Sequence, residues 1–567
     1  MNPTFQDKIS GEDKISRRSA ESVNSGSIET THIGHALHQL GRQLVLAGRL
    51  NEALDSLTLS ADLTTADNQQ AECRFDLANA YYAGGRMEEA ISEYRRALRL
   101  HPGLAPAWYN LGVALMQTAS PKEEAPWKDA EHAYRRALRF HPQYAEAHNN
   151  LGILLQAQRR VKEAIHHYRC AAALDANFHE PRFNLGSLLH DEGKLDEARR
   201  VFESLLEDAP NHVDARNNLA NVLSALGHFD RARGHYEHAL TVQPCHPLTS
   251  WNLGLNQLRT GDWEPGWRNY EWRLRQVGST PPRSPMPLWD GGAPLDGARI
   301  LLTAEQGLGD ILQFVRFTQC LQVLGGRIWL ECHGPLESLL SRTPGIEGVT
   351  VIGNPLPDHD CWLPLLSLPG VLQTTLQSLP NEVPYLAPHE GRAEYWRERL
   401  SNWTGIRAGL AWSGNPGFRV NHKRSFGEHD LRKFLQHTRR ISEGAPLHLF
   451  SLQKGIATPN LGGLIPLDDD PSSMEDLAGV MMNLDLIVSV DTSVAHLAGA
   501  LGRPVWTMLG YHADWRWMTP DRNDSPWYPS MRLFRQSKAG DWSGVLSDVK
   551  SELHSYCARV AAANANT

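Results

Sequence analysis

The stretch DTSVAHLAGALGRPVWTML, residues 491–509, sets Asp491, Thr492 and Ser493 directly after the apolar run LDLIVSV. A strand that ends there and turns straight into a helix leaves the first backbone N–H groups of that helix unpaired. They lie at the positive end of its dipole. Such groups bind phosphate oxygens. His496 lies one turn further on and offers another N–H toward the same end. These residue types suit a diphosphate pocket. An ordinary capped turn followed by a core histidine would be written with the same letters.

Four other segments carry candidate chemistry. AEQGLGD supplies Gly307 and Gly309 for a tight turn and Asp310 at the start of the next helix. Asp310 either caps that helix or faces a cleft as a general base. WSGNPGFRVNHKRSF supplies Ser413, Gly414 and Asn415 at a turn, with Lys423 and Arg424 as positive charge beside it. SLQKG places Gln453 and Lys454 at a strand end. Ser472-Ser473-Met474-Glu475 opens a helix, and Ser472 with Glu475 has capping-box spacing.

The elements that position these segments alternate. ARILLTAE, RIWLECH and VTVIG read as strands separated by helical stretches. After the linking helix EYWRERLSNW a second set begins with RAGLAWSG, LHLFSLQ, LDLIVSV and PVWTML. This is βαβ alternation, which predicts parallel sheets covered by helices and ligands at the carboxyl ends of the strands. All five candidate segments follow predicted strands or open predicted helices.

The first half is different. Leu-Gly or Leu-Ala pairs recur at Leu77, Leu111, Leu151, Leu185, Leu219 and Leu253, spaced by 34, 40, 34, 34 and 34 residues. The longer interval holds six extra residues within ASPKEEAPW. A degenerate unit precedes them around Leu40-Gly41. This is the helix-turn-helix period of tetratricopeptide repeats. The small residue after each Leu lets paired helices approach. Asn110, Asn150, Asn184, Asn218 and Asn252 each precede the repeat Leu. On a superhelix they form a ladder of amides, which either clamps the backbone of an extended peptide or ties neighbouring helices together. The last unit runs into GDWEPGWRNYEWRLRQ, whose aromatics cap the array or dock it on the next domain. STPPRSPMPLWDGGAP reads as a linker.

Composition sets limits. A net charge of −8 over 567 residues argues against a general nucleic-acid binder. No window is apolar enough for a membrane span, and the polar N-terminus is not a secretory signal. Seven dispersed cysteines without a CxxC pair suit a reducing cytoplasm. The expected division is a disordered stretch over 1–30, repeats over 31–276, a linker over 277–297, α/β domains over 298–390 and 391–545, and a final helix and tail over 546–567.

LTAEQGLGDILQFVRF, AWSGNP, SLQKG, DLIVSVDTSVAHLAGALGRPVW and DWRW together resemble bacterial proteins that join tetratricopeptide repeats to a family 9, heptosyltransferase-like glycosyltransferase. The resemblance implies a GT-B fold, in which two Rossmann-like domains flank the active site, with inverting chemistry and no metal or other cofactor. It implies Asp310 as general base and Asp491, Thr492, Ser493 and His496 as holders of the donor diphosphate. Ser413, Gly414, Asn415 and either Lys423 or Arg424 would touch phosphate or sugar, and Gln453, Lys454 and Met474 the ribose and base. The final helix would return to the first Rossmann domain. This sequence departs from the family at Ser493, where Gly is common, and in its compact NHKRS. Asp468, Asp469 and Asp470 read as an exposed loop rather than a metal motif. The implied function is sugar transfer from a nucleotide-diphosphate sugar to a protein held by the repeats. The alternative is a repeat scaffold with a non-catalytic transferase-like half.

Overall fold

The structure is a computed structural model. It describes residues 32–119, 124–276, 284–417, 421–438, 446–454, 459, 461–467 and 473–565. The expectations for 1–30, for the linker over 277–283, and for Gly455, Asp468, Asp469, Asp470 and Ser472 fall outside the described residues.

The chain divides into two compact units, 1–210 and 211–567. The division falls inside the stretch expected as repeats. The first unit consists of helix pairs: α1 (32–46) with α2 (Leu50–Leu63), α3 (Asp67–Ala83) with α4 (Met87–Leu100), α5 (Ala105–Thr118) with α6 (Glu124–Phe140), α7 (Ala145–Ala157) with α8 (Val161–Leu174), and α9 (Glu180–Asp191) with α10 (Leu195–Asp208). The reason for the Leu-Gly signature is visible in the packing. A Cβ added at Gly152 would stand 2.7 Å from the Tyr168 ring, and one at Gly186 would stand 2.7 Å from Phe202. The second helices α4, α6, α8 and α10 each drive one fully buried ring, Tyr94, Tyr134, Tyr168 and Phe202, into the space the small residue leaves, and α2 uses Leu57 against Gly41.

The second unit opens with two more pairs, α11 (Val213–Ala225) with α12 (Phe229–Val242) and α13 (Pro247–Thr260) with α14 (Trp263–Tyr270). Two parallel sheets follow. The first has the order β3-β2-β1-β4, from β1 (Arg299–Thr303), β2 (Arg327–Cys332), β3 (Ile346–Val351) and β4 (Cys361–Pro364). Its helices are α15 (Leu308–Phe314), α16 (Thr318–Val323), α17 (Glu337–Leu340) and α18 (Leu368–Val371). After α19 (Glu390–Leu400) the second sheet has the order β6-β5-β7-β8-β9, from β5 (Ile406–Ala411), β6 (Leu447–Ser451), β7 (Leu486–Val490), β8 (Val505–Leu509) and β9 (Met531–Arg535). It is accompanied by α20 (Glu428–Thr438), α21 (Met474–Met482), α22 (Ser493–Ala500) and α23 (Ser543–Ala565). In each sheet the strand order reverses once, between β1 and β4 and between β5 and β7. Those reversals open the crevices where α/β sheets bind ligands. AEQGLGD follows β1, WSGN follows β5 and DTS follows β7.

The aromatics at the end of the repeats dock. Trp263 stacks on Trp527 at 5.5 Å, and Trp267 meets Trp515 edge-on at 5.4 Å. Trp267, Tyr270, Phe314 and Trp527 share one buried core with the first sheet and one face of the second. The final helix corrects an expectation. Val545, Val549, Leu553 and Cys557 of α23 bury against Ile406, Leu410, Val488 and Trp506, so α23 covers the second sheet. Its apolar stripe is used up there, which leaves none to pack on the first sheet. The strand β9, with its sequence MRLFR, was not read from the sequence.

Removing a fully buried ring from a repeat leaves a cavity that the helix pair cannot close. Tyr168→Ala is expected to cost about 3–5 kcal/mol in urea unfolding, and Gly152→Val to destabilise by steric conflict with the same ring. A Tyr168→Ala loss under about 1 kcal/mol contradicts this packing account.

Candidate functional site

The helix that follows β7 carries no side-chain cap. Thr492 occupies its N-cap position in extended geometry without capping the turn. By contrast, α21 is capped by Ser473, whose Oγ accepts the Asp476 N–H at 3.1 Å. The cap of α21 is thus Ser473 with Asp476, one residue beyond the expected Ser472–Glu475 spacing. Glu475 instead takes ion pairs and hydrogen bonds from Arg342 and Ser338. At α22, Asp491, Thr492 and Ser493 stay partly exposed, while the rest of the helix is buried. Its first-turn N–H groups therefore keep the positive potential of an uncapped helix start.

Gly309 stands against that turn. A Cβ added to it would lie 2.9 Å from His496 Cδ2 and 3.6 Å from the Ser493 Cα. The glycine is thus required by the close approach of α15 to α22, which brings the candidate segments of both sheets together. His496 is buried, stacks on Trp517 at 5.3 Å and pairs through Nδ1 with the Tyr528 hydroxyl at 2.9 Å. Burial first, and then the Arg516 charge, push its pKa down to about 3. The ring is neutral at physiological pH. When Nδ1 accepts from Tyr528, Nε2 carries the proton and is the only N–H that His496 can offer.

Asp310 takes the capping role, one of the two read from its sequence position. Its Oδ2 accepts the Gly307 N–H at 2.9 Å, closing the first turn of α15. Its Oδ1 is ion-paired with Arg516. Arg516 also donates to Asp514 Oδ1 at 2.8 Å and to Gln313 Oε1 at 2.6 Å. Burial raises the Asp310 pKa, and the Arg516 guanidinium works against that rise. Asp491 is pushed up to about 6, by burial first and then by the Asp514 charge, with Arg424 and Arg516 opposing.

Of the two cations in NHKRS, the field at Asp491 and His496 comes from Arg424. A Cβ on Gly414 would meet the Arg424 guanidinium at 2.9 Å, so the glycine makes room for it. Lys423 presents its backbone to Gly510. Gln453 is committed to the loop after β5. Its Oε1 accepts from Trp412 N–H at 3.2 Å and Ser413 N–H at 3.0 Å, and its Nε2 donates to the carbonyls of Ser413 and Lys454 at 2.9 Å each. Asn415 Oδ1 accepts the Gly417 N–H at 2.9 Å, and Ser413 Oγ accepts from Asn421 at 3.2 Å. Met474 is buried in the apolar core. These four hold the loops and the core. Lys454 stays partly exposed beside them.

The amide ladder is bonded mostly between helices of neighbouring pairs. In the first unit, Asn110 donates to Asn79 at 2.8 Å, Asn150 to the Tyr109 hydroxyl at 3.1 Å and Asn184 to Asn149 at 3.1 Å. In the second, Asn252 donates to Asn217 at 3.0 Å and Asn218 accepts from Asn217 at 3.2 Å. Among the described residues no group of three or more His, Cys, Asp or Glu is placed to hold a metal ion, and no helix is long and apolar enough to cross a membrane.

Sequence reasoning missed three participants: Asp514, Arg516 and Trp517. The signal was DWRW, an arginine between two tryptophans, where a buried cation has aromatic walls and needs carboxylates nearby.

Residues 471–539 match glycosyltransferase family 9, the heptosyltransferase family. That segment contains α21, β7, α22, β8 and the Asp514–Trp517 turn. Residues 78–118, 126–177 and 189–244 match tetratricopeptide repeat families. Protein FlbA of Caulobacter vibrioides is 26% identical over 324 residues, 52% of this chain and 52% of that protein. The chain therefore spans about half the length of that curated relative. Among solved structures, YrrB, described as a TPR protein with an unusual peptide-binding site, is 28% identical over 32% of this chain and 89% of its own, with a TM-score of 0.28. A tetratricopeptide repeat protein of Parabacteroides merdae is 18% identical over 44% and 94%, with a TM-score of 0.35. At such scores the solved structures carry nothing about function. The chain thus carries segments that match tetratricopeptide repeat families, followed by one that matches glycosyltransferase family 9.

The Asp491 pKa lies above its unfolded value near 3.8, so the folded state binds the proton more tightly and loses stability as pH rises from about 3.8 to about 6, the loss being complete above that. Asp491→Asn removes that ionisation. Its melting temperature is expected to exceed wild type at pH 8 and to match it at pH 3, below the pKa of the unfolded carboxyl, in thermal unfolding. An equal shift at both pH values contradicts the assignment.

Proposed function

We propose that this chain is a glycosyltransferase that moves a sugar from a nucleotide-diphosphate donor to an acceptor protein held by its repeats. The supporting observation is the uncapped start of α22, inside the segment that matches family 9, with Gly309 and Arg424 beside it. The two parallel sheets, each with its reversal point, suit a GT-B arrangement of two Rossmann-like halves. The seven cysteines are unpaired, which suits a reducing compartment.

In an inverting transfer the acceptor hydroxyl attacks the anomeric carbon as the bond to the diphosphate breaks. Negative charge grows on the leaving phosphate. The first-turn N–H groups of α22 and the Arg424 guanidinium are fixed positive groups at that place, and fixed dipoles stabilise developing charge without reorganising. Neutral His496 adds at most one N–H. The attacking hydroxyl gives up a proton to a carboxylate, and Asp310 is the acid on the opposing sheet. To accept that proton its Oδ1 must part from Arg516.

That engagement of both Asp310 oxygens favours a second reading, in which the transferase half is a non-catalytic module of a repeat scaffold. Calorimetric titration with nucleoside diphosphates, and mass spectrometry of transfer from a panel of nucleotide sugars, separate the two. The transferase reading expects wild type to bind one diphosphate and turn over. Arg424→Met is expected to weaken binding roughly tenfold or more, the loss of one charge-assisted contact. Asp310→Asn is expected to bind normally and lose transfer by about a hundredfold or more. Diphosphate binding without turnover in wild type supports the scaffold. No binding at millimolar concentration overturns the transferase reading.

A further inference from the structure

The last repeat reaches the candidate base through a chain of charged groups. Arg259, near the end of α13, donates to the Ala513 carbonyl at 2.9 Å. Its charge helps hold the neighbouring Asp514 carboxyl below its ordinary pKa, although the larger share comes from Arg516. Asp514 shares Arg516 with Asp310. One residue segment later, Arg273 donates to Glu305 Oε2 at 2.8 Å and to Ser367 Oγ at 2.6 Å. Glu305 lies in AEQGLGD, five residues before Asp310. Two arginines of the terminal repeat segment thus enter the two loops between which the Asp310–Arg516 pair forms.

We infer that Arg259 is a positioning residue for the transferase site: through Asp514 and Arg516 it sets how firmly Asp310 is held, so the last repeat is a working part of the catalytic half. The inference rests on the transferase reading for its catalytic meaning, while the coupling itself does not. The groups facing this network are Asp310, Asp514, Asp491, Glu305, Arg516, Arg259, Arg273, Arg424, Tyr270 and His496. Arg259 is faced as well by Tyr236 and Arg535, and from its place on the Ala513 carbonyl its charge favours the ionised Asp514. While Arg259 neutralises part of Asp514, Arg516 divides its charge between two carboxylates. Without Arg259, Asp514 draws more on Arg516, and Asp310 is left with less positive potential. Both effects act in one direction and raise the pKa of Asp310.

The repeats bear on this point by construction. α13 belongs to the same helix-pair scheme that would hold the acceptor, and its C-terminal turn carries the arginine. The Asn256 and Thr260 turn of α13 is packed by its own hydrogen bonds, Asn256 to the Phe229 carbonyl at 3.2 Å and Thr260 to the Asn256 carbonyl at 3.1 Å. The Arg259 guanidinium is therefore held by the repeat and delivered to the loop.

The test uses the full chain with Arg259→Met, Arg259→Lys and Asp310→Asn, alone and combined. In thermal unfolding, the melting-temperature loss of Arg259→Met with Asp310→Asn is expected to be smaller than the sum of the two single losses. In transfer assays, Arg259→Met is expected to move the acidic limb of the kcat/KM profile to higher pH with nucleoside diphosphate affinity within twofold of wild type. Arg259→Lys is expected to restore the wild-type limb. A merely structural role lowers the rate at every pH and leaves the limb in place. Additive melting losses together with an unmoved limb overturn the inference. If wild type shows no transfer at all, the transferase reading fails, and the unfolding cycle alone decides the coupling: additive losses overturn it, and non-additive losses sustain it as a structural relay.

Discussion

One ion pair organises the α/β half. Arg516 sits on the loop after β8 of the second sheet, and Asp310 sits in the first turn after β1 of the first. An arginine removed from water is stable only when its N–H groups are met, and here Asp310, Asp514 and Gln313 meet them. Removing the arginine would leave both Asp310 and Asp514 without their ion-pair partner. That need fixes the first turn of α15 beside the first turn of α22, and it explains why position 309 has no side chain.

The same contact sets the chemistry. A helix start that carries no capping side chain is an anion site only if something keeps it open and faces it with a reacting partner. Gly309 keeps the approach close, Arg424 adds charge from the loop after β5, and Asp310 waits across the gap in a locked state. The tryptophans between the repeats and the loops serve the same end. Trp515 and Phe314 flank the Arg516 guanidinium, while Trp527 stacks on Trp263 and Trp515 meets Trp267 edge-on, both in the last repeat. The apolar docking of the repeats and the polar assembly of the site are one construction.

Much of this was legible in the chain. The 34-residue spacing of Leu-Gly pairs reports helix pairs because only a small residue admits the facing ring. The apolar runs report strands of parallel sheets because both faces are covered. The turn at Asp491 was readable because a strand end, a helix start and a histidine fall together. Side-chain commitment was not readable. Gln453 looks like a ligand-facing amide in sequence, yet its four hydrogen bonds all go to backbone. Asp310 looks free, yet its partner is 206 residues away. Lys423 ends a 3₁₀ turn and Arg424 follows it, and it is the Arg424 guanidinium that stands against Gly414. The direction of α23 depended on which sheet still had an uncovered face. Such facts belong to long-range packing, which adjacent letters do not encode.

The most direct measurement is the structure of the full chain with a nucleoside diphosphate. The account predicts phosphate oxygens within hydrogen-bond reach of the Ser493 and Val494 N–H groups, with the Arg424 guanidinium turned toward them. Phosphates bound elsewhere, with the first turn of α22 closed by protein side chains, would contradict it.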